Sequence, residues 1–406
     1  MRLLHTSDWH LGRSFHGFGL LGAQARFLDW LLELVAQESV DVVVVAGDIY
    51  DRAIPPVDAV ELYDDALARF ATAGVPVFMI SGNHDSATRL GVGSRVLSRG
   101  GVHLRTDARM IGQPVVLDSP TGPLALYGIP YLEPDAVRDT LALTERSHQA
   151  ALDAAMSLVR ADLATRPAGT RSVVASHSFV TGAAASDSER DIRVGGADSV
   201  SAATFAGVDY VALGHLHGPQ VVADPVPGRV RYSGSPLAYS FSERHHTKSV
   251  TLLTLGSSGV ADAQTIPVPV HRRLSTLSGE LAALLRDPAH DPLTQDYLAV
   301  TLTDQGAPNE PMARLRQRFP HVATLSWEPA GGLSPDRGSY TERVHGLSDS
   351  EICCDFVRHV RNDEPSDDER ALFEESLESS RAVPVIPPAR HPLEDIPASR
   401  EPEEAR

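Results

Sequence analysis

The chain has 406 residues, 42% hydrophobic and 22% charged, enough for two domains and a tail around a sizeable core. A formal net charge of −17 argues against a free-standing basic nucleic-acid binder, though not against an enzyme whose metals or partner offset the charge. The two cysteines, Cys353 and Cys354, are adjacent and cannot found a disulfide scaffold, no run approaches the roughly 20 apolar residues of a membrane span, and the N-terminus leaves no room for a cleaved leader, so a cytoplasmic protein is expected.

In chain order, strand-like and helix-like segments alternate, which predicts an α/β fold. Arg2–His5 reads as a strand, residues 24–38 as a helix with Phe27, Leu28, Leu31 and Val35 on one face, and 40–46 as a β-branched strand buried on both sides. A helix over 57–73 follows Pro55-Pro56, and 75–80 is the next strand. Strands at 124–128 and 172–176 flank a helix over 147–165, and 208–213 is another strand. Residues 221–223, 230–233 and 249–255 read as a run of antiparallel strands. Beyond about 270 the order helix (277–285), strand (297–302), helix (311–319), strand (322–327) predicts a small α+β unit, followed by a turn-rich stretch over 331–338. A helix over 348–361 carries Ser348 and Glu351 at capping-box spacing, a short helix covers 367–377, and disorder is expected from Val383 onward. Residues 363–406 hold thirteen acidic and five basic side chains, about half of the net charge. The expected domains are 1–270, 271–345 and 346–406.

Five polar clusters sit where strand-like runs end: Asp8-Trp9-His10, Gly47-Asp48, Gly82-Asn83-His84-Asp85, Ser176-His177 and Gly214-His215-Leu216-His217. Ligands of open α/β sheets gather beyond the carboxyl ends of strands. Singly, each cluster is an ordinary turn or a structural histidine; together they supply carboxylate, imidazole and amide donors for two divalent metals. Asp48 is the natural bridging carboxylate. Asp8 with His10, and His215 with His217, can each converge on one ion, and Asn83 and His177 complete two open sites. The donor set suits Mn, Fe or Zn, and the lack of thiolates favours Mn or Fe. Two ions about 4 Å apart can clamp a phosphate and steady a leaving oxygen.

The ordered motifs D-X-H, G-D, G-N-H-D, H and G-H-X-H resemble those of calcineurin-like metallophosphoesterases. That resemblance implies a two-sheet β-sandwich flanked by helices. It implies one metal on Asp8, His10, Asp48 and His217, and a second on Asp48, Asn83, His177 and His215. His84 would then stand near the scissile phosphate as transition-state stabiliser or general acid, with Asp85 orienting it. The flanking phrases 6–12, 82–86 with 89–91, 211–217, and 231–237 with Ser240-Phe241 resemble the bacterial SbcD family, nuclease subunits of SbcCD DNA repair complexes. This implies a manganese-dependent 3′→5′ double-strand exonuclease and single-strand endonuclease. It would work as a homodimer within a heterotetramer with an SbcC-like coiled-coil ATPase. The α+β unit would be a DNA-facing capping domain, and the later helices would dock on the ATPase. Archaeal and eukaryotic relatives carry a second catalytic histidine where this chain has Asp51, which could orient His84, place DNA or simply cap a turn.

Arg89 and Arg190 are candidate phosphate contacts, and the polar loop 181–196 could touch DNA or be a solvated loop. His245 and His246 beside Lys248 read as surface, and Trp9 as packing beside the site. Two alternatives are a metallophosphoesterase for a phosphoprotein, cyclic nucleotide or other small phosphodiester, and a non-catalytic scaffold. A scaffold would be expected to have lost ligands, and none is missing.

Overall fold

The computed structural model describes residues 1–120, 122–189, 199–226, 228–329, 347–361 and 364–382. Its first sheet is built from β1 (Arg2–Thr6), β2 (Val42–Val45), β3 (Val77–Ile80) and β4 (Val102–Arg105), with α1 (Leu21–Gln37) and α2 (Val57–Ala73) in the crossovers. The second is built from β5 (Val115–Leu117), β6 (Leu124–Ile129), β7 (Arg171–His177), β8 (Tyr210–Gly214), β9 (Gln220–Val221) and β10 (Val230–Tyr232), with α3 (His148–Leu163) between β6 and β7. The chain then returns to the first sheet through β11 (Ser249–Gly256) and β12 (Gly259–Pro267). The resulting orders are β12-β11-β1-β2-β3-β4 and β9-β10-β8-β7-β6-β5.

Strand periodicity decides how these sheets are covered. Leu3, Val42, Val44, Phe78 and Ile80 turn one way and share a core with Leu124, Leu126, Val173, Ala175 and Ala212 of the second sheet. Their neighbours Leu4, Val43, Val45 and Met79 turn the other way, onto Phe27, Leu28, Leu31, Ala59 and Phe70 of α1 and α2. On the second sheet Ala125, Tyr127, Val174, Val211 and Leu213 likewise meet Ala151, Leu152, Met156 and Val159 of α3. The continuous apolar runs of these strands follow from burial on both faces. Each buried Val, Leu or Phe contributes about 1.5–3 kcal/mol. A buried polar bridge crosses the inner core: His5 meets the Tyr210 hydroxyl through Nδ1 at 3.0 Å and the Leu213 carbonyl through Nε2 at 3.1 Å. Burial pushes the His5 imidazole down to about 3, so it is neutral there.

The later chain adds a three-stranded sheet, β13 (Leu274–Gly279), β14 (Tyr297–Leu302) and β15 (Val322–Trp327), in that order, with α4 (Pro311–Arg318) between the last two. The helices α5 (Asp349–Arg361) and α6 (Asp367–Ala382) follow. Ser348 and Glu351 form the expected capping box: the Ser348 amide donates to Glu351 Oε2 at 2.7 Å and the Glu351 amide to Ser348 Oγ at 3.4 Å. The compact units are Met1–Ser278 with Ala282–Thr301 and Glu310–Ser326, and Gly279–Leu281 with Leu302–Asn309 and Trp327–Arg406. No helix among the described residues is long and apolar enough to cross a membrane. The expected turns over 331–338 and disorder beyond 383 lie outside the described residues.

The expected helix over 277–285 is instead the end of β13 followed by a short helix, Leu281–Arg286, because Gly279 breaks the periodicity and Leu277 is buried in the strand. The expected antiparallel run is divided: β10 is parallel to β8, only β9 pairs with it antiparallel, and β11 belongs to the first sheet beside β1. Hydrophobic content alone does not say which sheet a strand joins. The edge strand β12 escaped sequence analysis because it is largely exposed and polar, and its place is fixed by a hairpin with β11.

The carboxyl ends of the two sheets approach each other so closely that a Cβ added to Gly214, at the end of β8, would collide with the Ala46 carbonyl beyond β2. Gly214→Ala is expected to lose about 1–3 kcal/mol of stability, as overpacking does. Gly22→Ala, where nothing lies within 4 Å, should lose none. Equal melting temperatures for the two variants would contradict this close approach.

Candidate metal centre

The parallel strands β1, β2 and β3 of one sheet and β7 and β8 of the other deliver all five clusters to one place. Glycine makes the convergence possible: a Cβ on Gly47 would strike the His177 ring, and one on Gly82 would strike the Asp48 carboxylate and amide. The turns that follow are strained. Asp8 (φ 54°), His10 (φ 46°), Asp48 (φ 49°) and His215 (φ 102°) all adopt left-handed backbone, at about 1–3 kcal/mol each. Four of the seven expected ligands therefore sit on backbone that side chains avoid, held by surrounding bonds. The Asp8 amide donates to the Gly47 carbonyl and the His10 amide to the Asp48 carbonyl, both at 3.0 Å. Across the sheets, the His215 amide donates to Asp8 Oδ1 at 3.0 Å.

The side chains then close on one another. His10 Nε2 and His217 Nε2 are 3.1 Å apart, and His10 Nε2 is 3.7 Å from Asp48 Oδ2. His177 Nε2 lies 3.4 Å from the same carboxylate oxygen and 2.9 Å from Asn83 Oδ1, while His215 Nδ1 is 3.2 Å from Asn83 Oδ1. Asp48 Oδ2 thus lies between a His10 side and a His177 side. Among the described residues, three groups of donor atoms could each hold a cation: Asp8, His10 and His217; His10, Asp48 and His84; and Asp8, Asp48 and His177. The six Asp and His residues expected as ligands are buried, and Asn83 is half-buried. Two buried imidazole nitrogens facing each other across 3.1 Å, beside carboxylate oxygens, form a donor set that fits a divalent cation.

The electrostatics agree. Burial pushes Asp8 up to about 6, against the pull of His177 and His217. Burial holds His10 well below its usual range and His215 down to about 3, leaving neutral imidazoles of the kind a metal takes. Burial also opposes charge on Asp48 and His177, but each one's attraction for the other wins: Asp48 falls well below the carboxylate range and His177 rises to about 9.

Behind the donors, His177 Nδ1 meets the Ala46 carbonyl at 2.9 Å, and the His217 amide donates to Glu189 Oε1 at 2.8 Å. His84 is half-buried at the rim, with its amide on Asp48 Oδ1 at 2.9 Å and its Nδ1 2.8 Å from the Asp51 carbonyl. The group that meets His84 is therefore the backbone of Asp51 rather than the Asp85 side chain. Asp85 turns away and accepts from the amides of Ile49, Tyr50 and Gly82 at 3.1, 2.9 and 2.9 Å, tying two ligand loops together. Burial, then repulsion from Asp48, raises its carboxyl to about 7. The Asp51 carboxylate faces His10 Nδ1 and Arg13, each at 3.7 Å. Trp9 is buried as expected, its indole donating to Thr6 Oγ1 at 3.1 Å.

Arg89 is exposed and donates to the Ala53 carbonyl at 3.2 Å, whereas Arg190 lies outside the described residues. The loop before Arg190 is not simply solvated, since Ser188 and Glu189 reach His217. His245 and His246 are exposed, as expected, whereas Lys248 beside them is buried and paired with Glu243. Sequence analysis missed Arg13, Tyr239 and Glu243. Arg13 lies over the Tyr239 ring at 4.7 Å, and the Tyr239 hydroxyl donates to the Trp9 carbonyl at 2.7 Å. Burial works against charge on Glu243, but hydrogen bonding to His217 and the Lys248 charge hold its carboxyl well below the usual range.

Two known families match the sequence. Residues 1–219 match the calcineurin-like phosphoesterase family, and residues 270–361 match the SbcD C-terminal family, described as the type 5 capsule protein repressor C-terminal domain. Similar solved structures include the protein TT1561 of Thermus thermophilus (13% identity, TM-score 0.40) and a dimetal phosphatase from Danio rerio (15%, 0.37). Another is an archaeal phosphodiesterase (10%, 0.28). Each alignment covers 66% of this chain and 99% of the other. With its first 219 residues matched and its Asp and His donors gathered as a dimetal site requires, the chain belongs to the calcineurin-like phosphoesterase family of metal-dependent hydrolases, as an SbcD-like member.

Proposed function

We propose that this protein is a manganese-dependent DNA nuclease subunit, a 3′→5′ double-strand exonuclease and single-strand endonuclease. We place it in the cytoplasm, working in DNA repair and recombination with an SbcC-like coiled-coil ATPase, as a homodimer within a heterotetramer. The observation that carries the DNA half of this reading is the SbcD C-terminal match over 270–361, joined to a phosphoesterase site with a full set of donors. In this reading residues 1–270 are the nuclease domain, 271–345 a DNA-facing cap and 346–406 the partner-binding segment.

Asp8, His10, Asp48 and His217 would hold one ion, and Asp48, Asn83, His177 and His215 the other. When bound, the ions supply Lewis acidity and a nucleophile at neutral pH. The residues do the rest. Asp48, whose Oδ2 lies between the His10 and His177 rings, would be shared by the two ions. The Asp51 carbonyl holds His84 at Nδ1, and the free Nε2 would donate to the oxygen that leaves phosphorus. Arg13 and Arg89 would contact backbone phosphate, as would Arg190. Asp51 holds His84 through its carbonyl and Arg13 through its carboxylate.

Purified protein with Mn²⁺ should degrade linear duplex DNA, alone or with the ATPase. Rapid hydrolysis of a small phosphodiester without any nucleolysis would overturn the DNA assignment. His84→Gln should retain both ions by metal analysis while turnover falls about 10²–10⁴-fold, the usual size of general acid–base catalysis. Asp48→Ala should instead be purified with depleted metal, and full occupancy there would remove Asp48 from the bridging role.

A further inference from the structure

Outside the expected ligands, a buried acid stands directly behind one of them. Glu243 is 1% exposed and follows the sequence phrase Ser240-Phe241-Ser242. Its Oε1 is 3.5 Å from His217 Nδ1, and the Ser188 hydroxyl fills the gap: it lies 2.5 Å from His217 Nδ1 and donates to the same Oε1. Oε2 is paired with Lys248, whose ammonium also donates to the His217 carbonyl at 2.8 Å. Glu243 thus reaches His217 through its ring and, by way of Lys248, through its backbone.

A buried Glu–Lys pair is weak evidence for stability, since apolar residues of like volume often serve as well. Capping the Tyr239 amide, which Glu243 Oε1 also does at 3.2 Å, needs an acceptor but no full charge. The chain from Nδ1 through a hydroxyl to a carboxylate does need one. With Nδ1–H donating to Ser188 Oγ and Ser188 donating to Glu243, the imidazole is fixed in the tautomer whose Nε2 lone pair points at His10 Nε2 and the Asp8 group. Outer partners of this kind fix ring orientation, raise ligand basicity and typically change metal affinity about 10–100-fold.

We infer that Glu243, acting through the Ser188 hydroxyl, is the positioning residue that sets the affinity of the His217-side metal and leaves the His177-side metal unaffected. This rests on the dimetal reading of the site above. It places Ser188 and Glu189 behind the metal ligands, so this part of the loop after His177 supports an ion.

The test is Mn²⁺ titration of the full chain, read by calorimetry and by the resonance signal of free Mn²⁺, with no substrate present. Wild-type protein should take up two ions. Glu243→Gln and Ser188→Ala should each weaken one binding step, Glu243→Gln by about 10–100-fold, and leave the other within twofold. The double variant should be no weaker than Glu243→Gln, because both act along one path. Wild-type uptake of fewer than two ions would sink the dimetal reading itself. Two ions in wild type, with both variants titrating like it, would overturn this inference alone. So would equal weakening of both steps, the mark of a general structural defect. Should Glu243→Gln fail to fold, Ser188→Ala decides by the same criteria, since its half-buried hydroxyl carries no core packing.

Discussion

The structure depends on how closely two sheets can be brought together at their carboxyl ends. Elsewhere the inner faces are separated by Leu, Val and Phe side chains, but at this end the spacing is set by glycine. Gly47, Gly82 and Gly214 each occupy a place where a single methyl group would meet the His177 ring, the Asp48 carboxylate or the Ala46 carbonyl. The bonds that cross the gap are short because of this. His177 Nδ1 reaches the Ala46 carbonyl at 2.9 Å, and Asp8 accepts the His215 amide at 3.0 Å. Donors from strands far apart in sequence can share an ion only if the backbones carrying them nearly touch.

That closeness has an electrostatic consequence. Asp8, Asp48 and the imidazoles of His10, His177, His215 and His217 lie together out of water. Burial alone would neutralise all of them. Instead the site divides: His10 and His215 stay neutral, Asp8 is raised to about 6, and Asp48 and His177 sustain each other's charge. Such a cluster, on strained left-handed backbone at four of its members, makes no sense as a stabilising core. It makes sense as a preformed cage whose unfavourable terms a divalent cation offsets.

Much of this was legible in the sequence, for a physical reason. The ligands follow strands buried on both faces, so each apolar run marks its own end, and the residues beyond it stand out by polarity alone. The α2 helix appears with its expected bounds because Pro56 and Gly74 punctuate it. What sequence analysis did not resolve depends on three-dimensional closure. β11 joins the first sheet rather than β10 because it pairs with β1, almost the whole domain away in sequence. The burial of Lys248 and Glu243 against each other is invisible in the sequence, since nothing local marks either for the interior. Asp85 adjoins His84 in sequence, yet successive residues in a tight turn point apart, and the bond to His84 comes from the Asp51 carbonyl instead.

Burial also divides the histidines of the site. His10, His177, His215 and His217 are buried, and two of them are backed by second partners, His177 by a backbone carbonyl and His217 by Ser188 and Glu243. His84 differs: it is half-buried, its ring lies 4.7 Å from that of His10 between centroids, and its Nδ1 meets the Asp51 carbonyl. A group that must hand a proton to a departing oxygen has to be fixed on one nitrogen and reachable at the other. In the role proposed for His84, the Asp51 carbonyl would supply the first condition and partial exposure the second. A ligand histidine needs the reverse, with its free nitrogen enclosed, and the two kinds of histidine in this site differ in just that respect.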